Sequence, residues 1–314
     1  MDVNDFLINW AKRRKPTILS DGDWDGIVAS TLLLKIFEKY SIHGVKVWFP
    51  SPAKMPSLKV SNKILIELPP SRGYEITGEC ILIDHHGFTG VKMLKPDSME
   101  IIYEYKEPIS SVAELVVKIF GLELGEEWSK LVEAVRLIDK GESFANRDAE
   151  ILHKAYLYNV SEQGFRNYLL RILLKDDWNA LWKWAEEGYE KYEKAREVIK
   201  DITRRAIEYP SITFTWFNVS NRQEKIVFRE AMIMLEKNSR LVVVAATEKD
   251  RVLRLHLGTK NPSVDASKEV IKLAKLFQSH GFKVTYGGKK EAAGIQFSEK
   301  KPGLGEVREI LLEY

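Results

Sequence analysis

Pro16-Thr17-Ile18-Leu19-Ser20-Asp21-Gly22-Asp23-Trp24-Asp25-Gly26 carries the reading of the fold. Pro16 to Ser20 is a short apolar run bounded by proline, too brief for a helix, and reads as a buried strand. Trp24 to Tyr40 then repeats apolar residues at helical spacing, so the three aspartates lie in a strand-to-helix loop. Asp or Asn just before a helix is expected for capping, and one aspartate there would mean nothing more. Three within five residues exceed that need, and their repulsion is costly unless a cation sits among them. Gly22 and Gly26 let the backbone turn so that several carboxylates converge, and hard divalent cations take such oxygens.

The same alternation continues on the carboxyl side. Strands are expected at Val45 to Phe49, Ile64 to Leu68, Ile81 to Asp84 and Ile101 to Tyr105, with a helix from Val112 to Phe120. Strands alternating with helices predict a doubly wound parallel sheet, in which ligands bind at the carboxyl ends of the strands. A second acidic cluster falls at such an end: Cys80-Ile81-Leu82-Ile83-Asp84-His85-His86-Gly87. One imidazole there can ligate a metal, the other meet a phosphate, and the carboxylate orient a ring. Mixed carboxylate and imidazole donors suit Mn²⁺ better than Mg²⁺.

Residues 125 to 206 are helical in period, with Trp178, Trp182, Ala185, Tyr189 and Tyr192 on one face. Such a stripe is a packing surface more often than a base-stacking platform. After Pro210, strands are expected at Ile212 to Phe217, Leu241 to Ala246 and Val252 to Leu257, with helices near 223–237 and 265–279. The expected organisation is a catalytic α/β domain over 1–150, a helical connector over 151–206 and a smaller α/β domain over 207–314. No internal repeat or low-complexity segment interrupts it.

Composition limits the chemistry. The chain has 314 residues and one cysteine, Cys80, so an intrachain disulfide and any multi-cysteine zinc site are excluded, which fits a reducing cytoplasm. Its 48 basic and 45 acidic residues give a net charge of +3, which argues neither for nor against nucleic acid. Basic residues cluster only locally: Lys12 to Lys15, Arg204 with Arg205, and Lys289 with Lys290. No apolar run reaches membrane-spanning length and the amino terminus has no cleavable apolar core, so a soluble, cytoplasmic protein is expected. High Lys and Glu content leans toward a thermophilic source.

Asp-x-Asp-x-Asp-Gly followed by Asp-His-His resembles the DHH phosphoesterase superfamily, which includes RecJ-type exonucleases, oligoribonucleases and cyclic-dinucleotide phosphodiesterases. Glu67 stands where the second family motif places an aspartate, and Asp139, in Arg136-Leu137-Ile138-Asp139, matches the fourth. Gly287-Gly288-Lys289-Lys290-Glu291-Ala292-Ala293-Gly294 is similar to the Gly-Gly-His-x-x-Ala-Ala-Gly motif of the associated DHHA1 domain, with Lys289 in place of the histidine.

The resemblance implies two Mn²⁺ ions, with Mg²⁺ as the alternative. Asp21 and Asp23 would hold one, Asp25, His85 and Asp139 the other, and Glu67 would bridge them. Asp84 would support the histidines and His86 face the phosphate. Gly287, Gly288, Lys289, Lys290 and Gly294 would bind substrate. Size and composition look most like archaeal RecJ-like proteins. The implied role is a single-strand exonuclease, 3′ to 5′, in DNA repair or replication, acting on DNA or RNA and partnered by a repair or replicative helicase, with a homo-oligomer allowed. An oligoribonuclease or phosphatase of very short nucleotides is the first alternative, and a non-catalytic helicase-associated module the second.

Overall fold

The structure is a computed structural model that describes residues 2–160, 162 and 164–314. It divides into two compact units, residues 1–189 and 190–314.

The first unit opens with α1 (Val3–Arg14), β1 (Thr17–Ser20), α2 (Trp24–Lys39) and β2 (Lys46–Trp48). Next come β3 (Lys59–Val60), β4 (Lys63–Ile66), β5 (Glu75–Ile76), β6 (Cys80–Asp84), β7 (Gly90–Lys95) and β8 (Ser98–Glu104). The helices α3 (Val112–Phe120), α4 (Glu126–Asp139), α5 (Arg147–Asn159), α6 (Phe165–Leu174) and α7 (Trp178–Arg196) follow. The main sheet runs β2-β1-β4-β6-β7-β8, and β3 pairs with β5 in a separate two-stranded sheet. Pairings among β2, β1, β4 and β6 are parallel, as the alternating pattern requires. β7 and β8 form an antiparallel extension. The expected strand at 101–105 is therefore the outer arm of a hairpin, and β7 is an element the sequence reading did not mark.

Strand alternation sends Ile18, Ile64, Ile66, Ile81 and Ile83 into one core with Ile27, Val28 and Val116 of the helices. Leu19, Leu65, Cys80 and Leu82 face the other side, under Met55, Val60, Leu68 and Tyr74. Short turns and the β3-β5 pair thus cover that face. Each fully buried Ile or Leu contributes about 1.5–3 kcal/mol, so both cores hold the strand ends still. Trp178, Trp182 and Ala185 pack on the first core, in keeping with the packing reading of the aromatic stripe.

The second unit contains α8 (Ile199–Arg204), β9 (Ile207–Glu208), β10 (Thr213–Asn218), α9 (Arg222–Glu236), β11 (Val242–Glu248) and β12 (Arg251–Gly258). α10 (Ala266–Ser279), β13 (Val284–Gly288), β14 (Ala292–Phe297) and α11 (Leu304–Leu312) complete it. Its sheet runs β13-β14-β12-β11-β10-β9 around a core that includes Phe214, Val243, Leu255, Phe277 and Phe297. Residues assigned by sequence to a connector are shared between the units, since the division falls inside α7. No helix among the described residues is long and apolar enough to cross a membrane.

Candidate metal centre

The three parallel strands β1, β4 and β6 end side by side, and each delivers acidic groups to one edge. After β1, Asp23 caps α2, its Oδ1 accepting the Gly26 N–H at 2.9 Å. The Asp21 carboxylate accepts the Asp23 N–H at a long 3.5 Å. Gly26 is bare for a reason: a Cβ there would lie 2.1 Å from Ser20 Oγ and 2.8 Å from Asp21 Oδ1. Asp25 is buried and turns away from its own helix end to α3, accepting the Val112 N–H at 2.5 Å and the Ala113 N–H at 2.7 Å.

Beyond β4, Glu67 has a left-handed backbone, φ +56°, and a buried carboxylate. Its Oε1 lies 3.2 Å from His85 Nε2, while Oε2 is buried with no hydrogen-bond partner among the described residues. Past β6, Asp84 Oδ1 accepts the backbone N–H of His85 at 2.8 Å and of His86 at 2.9 Å, and His86 Nδ1 lies 3.1 Å away. His85 Nε2 points the other way, 3.2 Å from Asp139 Oδ2 and 3.8 Å from Asp25 Oδ2. Asp139 is the last residue of α4, so a helix terminus closes the ring of donors.

Charge crowding marks the cluster. Burial, then the charges of Asp23 and Asp25, push Asp21 up to about 8. Burial and Asp23 push Asp25 to about 8 against the two α3 N–H donors, and Asp139 rises to about 6 through burial and Asp23. Glu67 is driven well above the usual carboxylate range by burial and by Asp25, Asp23, Asp21 and Asp139. Burial works to raise Asp84 too, but hydrogen bonds from His86 outweigh it and Asp84 falls. Burial lowers His85 toward the neutral imidazole, whereas the bond to Asp84 raises His86.

Donor atoms of Asp21, Asp23 and Glu67 lie within 4.8 Å of one another, as do those of Asp25, Glu67, His85 and Asp139. A third such group is Glu67, His85 and His86. The geometry therefore brings all eight expected residues of the first unit to one strand edge, with Glu67 common to every group. The orphaned Glu67 oxygen and the raised carboxylates are what a site built for divalent cations presents when its donors face only each other.

The five expected substrate residues lie in the second unit. Gly287 and Gly288 line a cleft of about 390 Å³ with Phe228, Met232, Glu236 and His256. Lys289 and Lys290 occupy the turn between β13 and β14, and Gly294 pairs with Gly287 across that hairpin; none of these three lines the cleft. The lining aromatics, Phe228 and His256, have ring centroids 4.8 Å apart and escaped the sequence reading, because nothing local links a helix phenylalanine to a strand histidine.

No family model matches the sequence, and neither does any curated protein. Solved structures do share the fold. The pGpG-specific phosphodiesterase PggH of Vibrio cholerae aligns over 95% of this chain and 98% of its own, at 15% identity and a TM-score of 0.56. RecJ of Thermus thermophilus, in complex with Mg²⁺, aligns over 94% of this chain at 17% identity and a TM-score of 0.56; the alignment spans 49% of RecJ, about half its length. CDC45 of Entamoeba histolytica aligns over 98% of this chain and 97% of its own, at 8% identity and a TM-score of 0.52. The shared fold is an α/β unit built on a largely parallel sheet followed by a second sheet unit, as the sequence led one to expect.

Proposed function

We propose that the chain is a metal-dependent phosphodiesterase of the DHH superfamily, acting as a Mn²⁺-dependent exonuclease on single-stranded DNA or RNA. The observation that carries this reading is the pair of donor groups, Asp21, Asp23 and Glu67 on one side and Asp25, Glu67, His85 and Asp139 on the other, sharing one carboxylate. Mg²⁺ fits the oxygen donors and is the alternative cation. Paired divalent ions, when bound, lower the pKa of a shared water and neutralise charge on a phosphoryl group.

The chain's own residues do the rest. Asp84 accepts a hydrogen bond from His86 Nδ1–H, leaving Nε2 as the other donor of a ring whose side chain is 59% exposed. A cationic His86 can then donate to a phosphoryl oxygen. His85, kept neutral by burial, offers Nε2 to the ion position shared with Asp139. In the second unit, the cleft beside Gly287 and Gly288 is the proposed seat of a nucleotide, with Lys289, Lys290 and Gly294 along the adjoining hairpin. The proposed setting is DNA repair or replication beside a helicase, with 3′-to-5′ polarity.

Wild type and Asp23→Ala are incubated with end-labelled single-stranded DNA, RNA and dinucleotides in Mn²⁺. Processive shortening by wild type and none by the variant is expected. Intact substrate with well-folded wild type overturns the enzyme reading, and the labelled end that survives longest sets polarity. A second reading, a phosphodiesterase of very short nucleotides, is favoured by the end-to-end match with PggH against the half-length match with RecJ. Dinucleotides consumed much faster than a 20-mer would decide for it.

A further inference from the structure

Gly22 stands between Asp21 and Asp23, and its carbonyl oxygen is held by two helices of the same unit. Arg166 of α6 donates Nε–H to it at 2.6 Å, and the Tyr156 hydroxyl of α5 donates at 3.1 Å. Arg166 Nη2 in turn donates to the Tyr156 hydroxyl at 3.1 Å, closing a triangle on one peptide group. The guanidinium is also packed on aromatic faces, 4.6 Å from the Phe165 ring centroid and 5.8 Å from that of Tyr156. Gly22 has φ +80°, and a Cβ there would fall 2.6 Å from Arg166 Nε and 2.7 Å from its Cδ. Glycine is required both by the turn and by the seat of the arginine.

A cation beside metal-binding carboxylates ordinarily pairs with them and competes with a divalent ion for the same lone pairs. Here the arginine takes the peptide oxygen between two carboxylates and forms no ion pair with either. Hydrogen bonds from a charged donor are stronger than those between neutral groups, enough to fix one peptide orientation in a glycine turn.

We propose that Arg166, with Tyr156, is a positioning residue for the cation site of Asp21 and Asp23: it locks the intervening peptide so that both carboxylates face Glu67 before a cation arrives. The proposal rests on the metal-centre reading above.

Mn²⁺ binding is titrated by calorimetry and electron paramagnetic resonance for wild type, Arg166→Met, Arg166→Lys and Tyr156→Phe. Hydrogen exchange of the amides of residues 21–26 is measured in EDTA alongside, and thermal unfolding in EDTA checks the fold. Arg166→Met is expected to weaken one of the two binding steps about tenfold or more, in the range for partners that orient metal ligands, and to speed loop exchange. Arg166→Lys should fall between the two, and Tyr156→Phe should weaken binding a few-fold. Arg166→Met with wild-type affinity and wild-type loop exchange overturns the proposal. If Arg166→Met does not fold, Tyr156→Phe decides: unchanged affinity overturns it. A wild type that takes up no Mn²⁺ overturns the metal reading, and this proposal with it; wild-type uptake with unaffected variants overturns this proposal alone.

Discussion

Glu67 concentrates the chemistry of the site in one side chain. Relative to aspartate it has one more methylene, and the structure gives that length a left-handed backbone, φ +56°, which costs about 1–3 kcal/mol for a residue with a Cβ. A strained, buried, half-orphaned carboxylate persists only if the surroundings force it and something rewards it. Glu67→Gln keeps the shape and removes the charge. In the metal-free protein at pH 8 it is expected to raise the thermal midpoint, because a neutral amide avoids the cost of burying a carboxylate and its charge beside Asp25, Asp23, Asp21 and Asp139. The same variant should lose at least tenfold in Mn²⁺ affinity by titration. A lower midpoint in EDTA together with unchanged affinity would refute the role. The motif residues from Asp21 to His86 were legible because they follow the ends of apolar strands, and Asp139, at the end of a helix, only through its motif; the turn of Glu67 was not, because positive φ in a glutamate has no sequence signature.

At the level of elements, α3 is nailed to the aspartate loop by Asp25, whose two oxygens occupy the first N–H groups of that helix. Asp25 is therefore both a candidate ligand and an N-terminal anchor. Asp25→Ala orphans two buried donors and is expected to cost about 2–6 kcal/mol in denaturant unfolding even in EDTA, at about 1–3 kcal/mol per lost partner. Asp21→Ala, which anchors no helix, should cost far less in EDTA while losing metal binding; equal losses for the two variants would sink the distinction. Sequence could not show this anchor, since 87 residues separate Asp25 from Val112. The helices from α2 to α10 and the parallel strands of the two main sheets were legible from local period, but α1, α11, the β3-β5 pair, β7 and the β13-β14 hairpin were not. Gly90-Val91-Lys92-Met93-Leu94-Lys95 mixes charge into a strand whose partner, β6, decides its state.

For the whole molecule, the acidic edge makes stability depend on pH in an unusual direction. Asp21 and Asp25 titrate near 3.8 ordinarily and near 8 in the fold, so the folded state holds protons that the unfolded chain has released. Their contribution is complete below about pH 4 and is lost as pH rises through about 8. In EDTA the unfolding free energy should fall between pH 5 and 8, and Mn²⁺ should restore it at pH 8 by binding only the folded form. A metal-free protein that gains stability over that interval would refute the charge assignment.

The participation of Glu67 in both donor groups would make two ion positions, if both fill as proposed, a single thermodynamic system. Whatever draws the proton from that carboxylate prepares it for the neighbouring position as well, so occupancy is interdependent and each position carries part of the other's affinity.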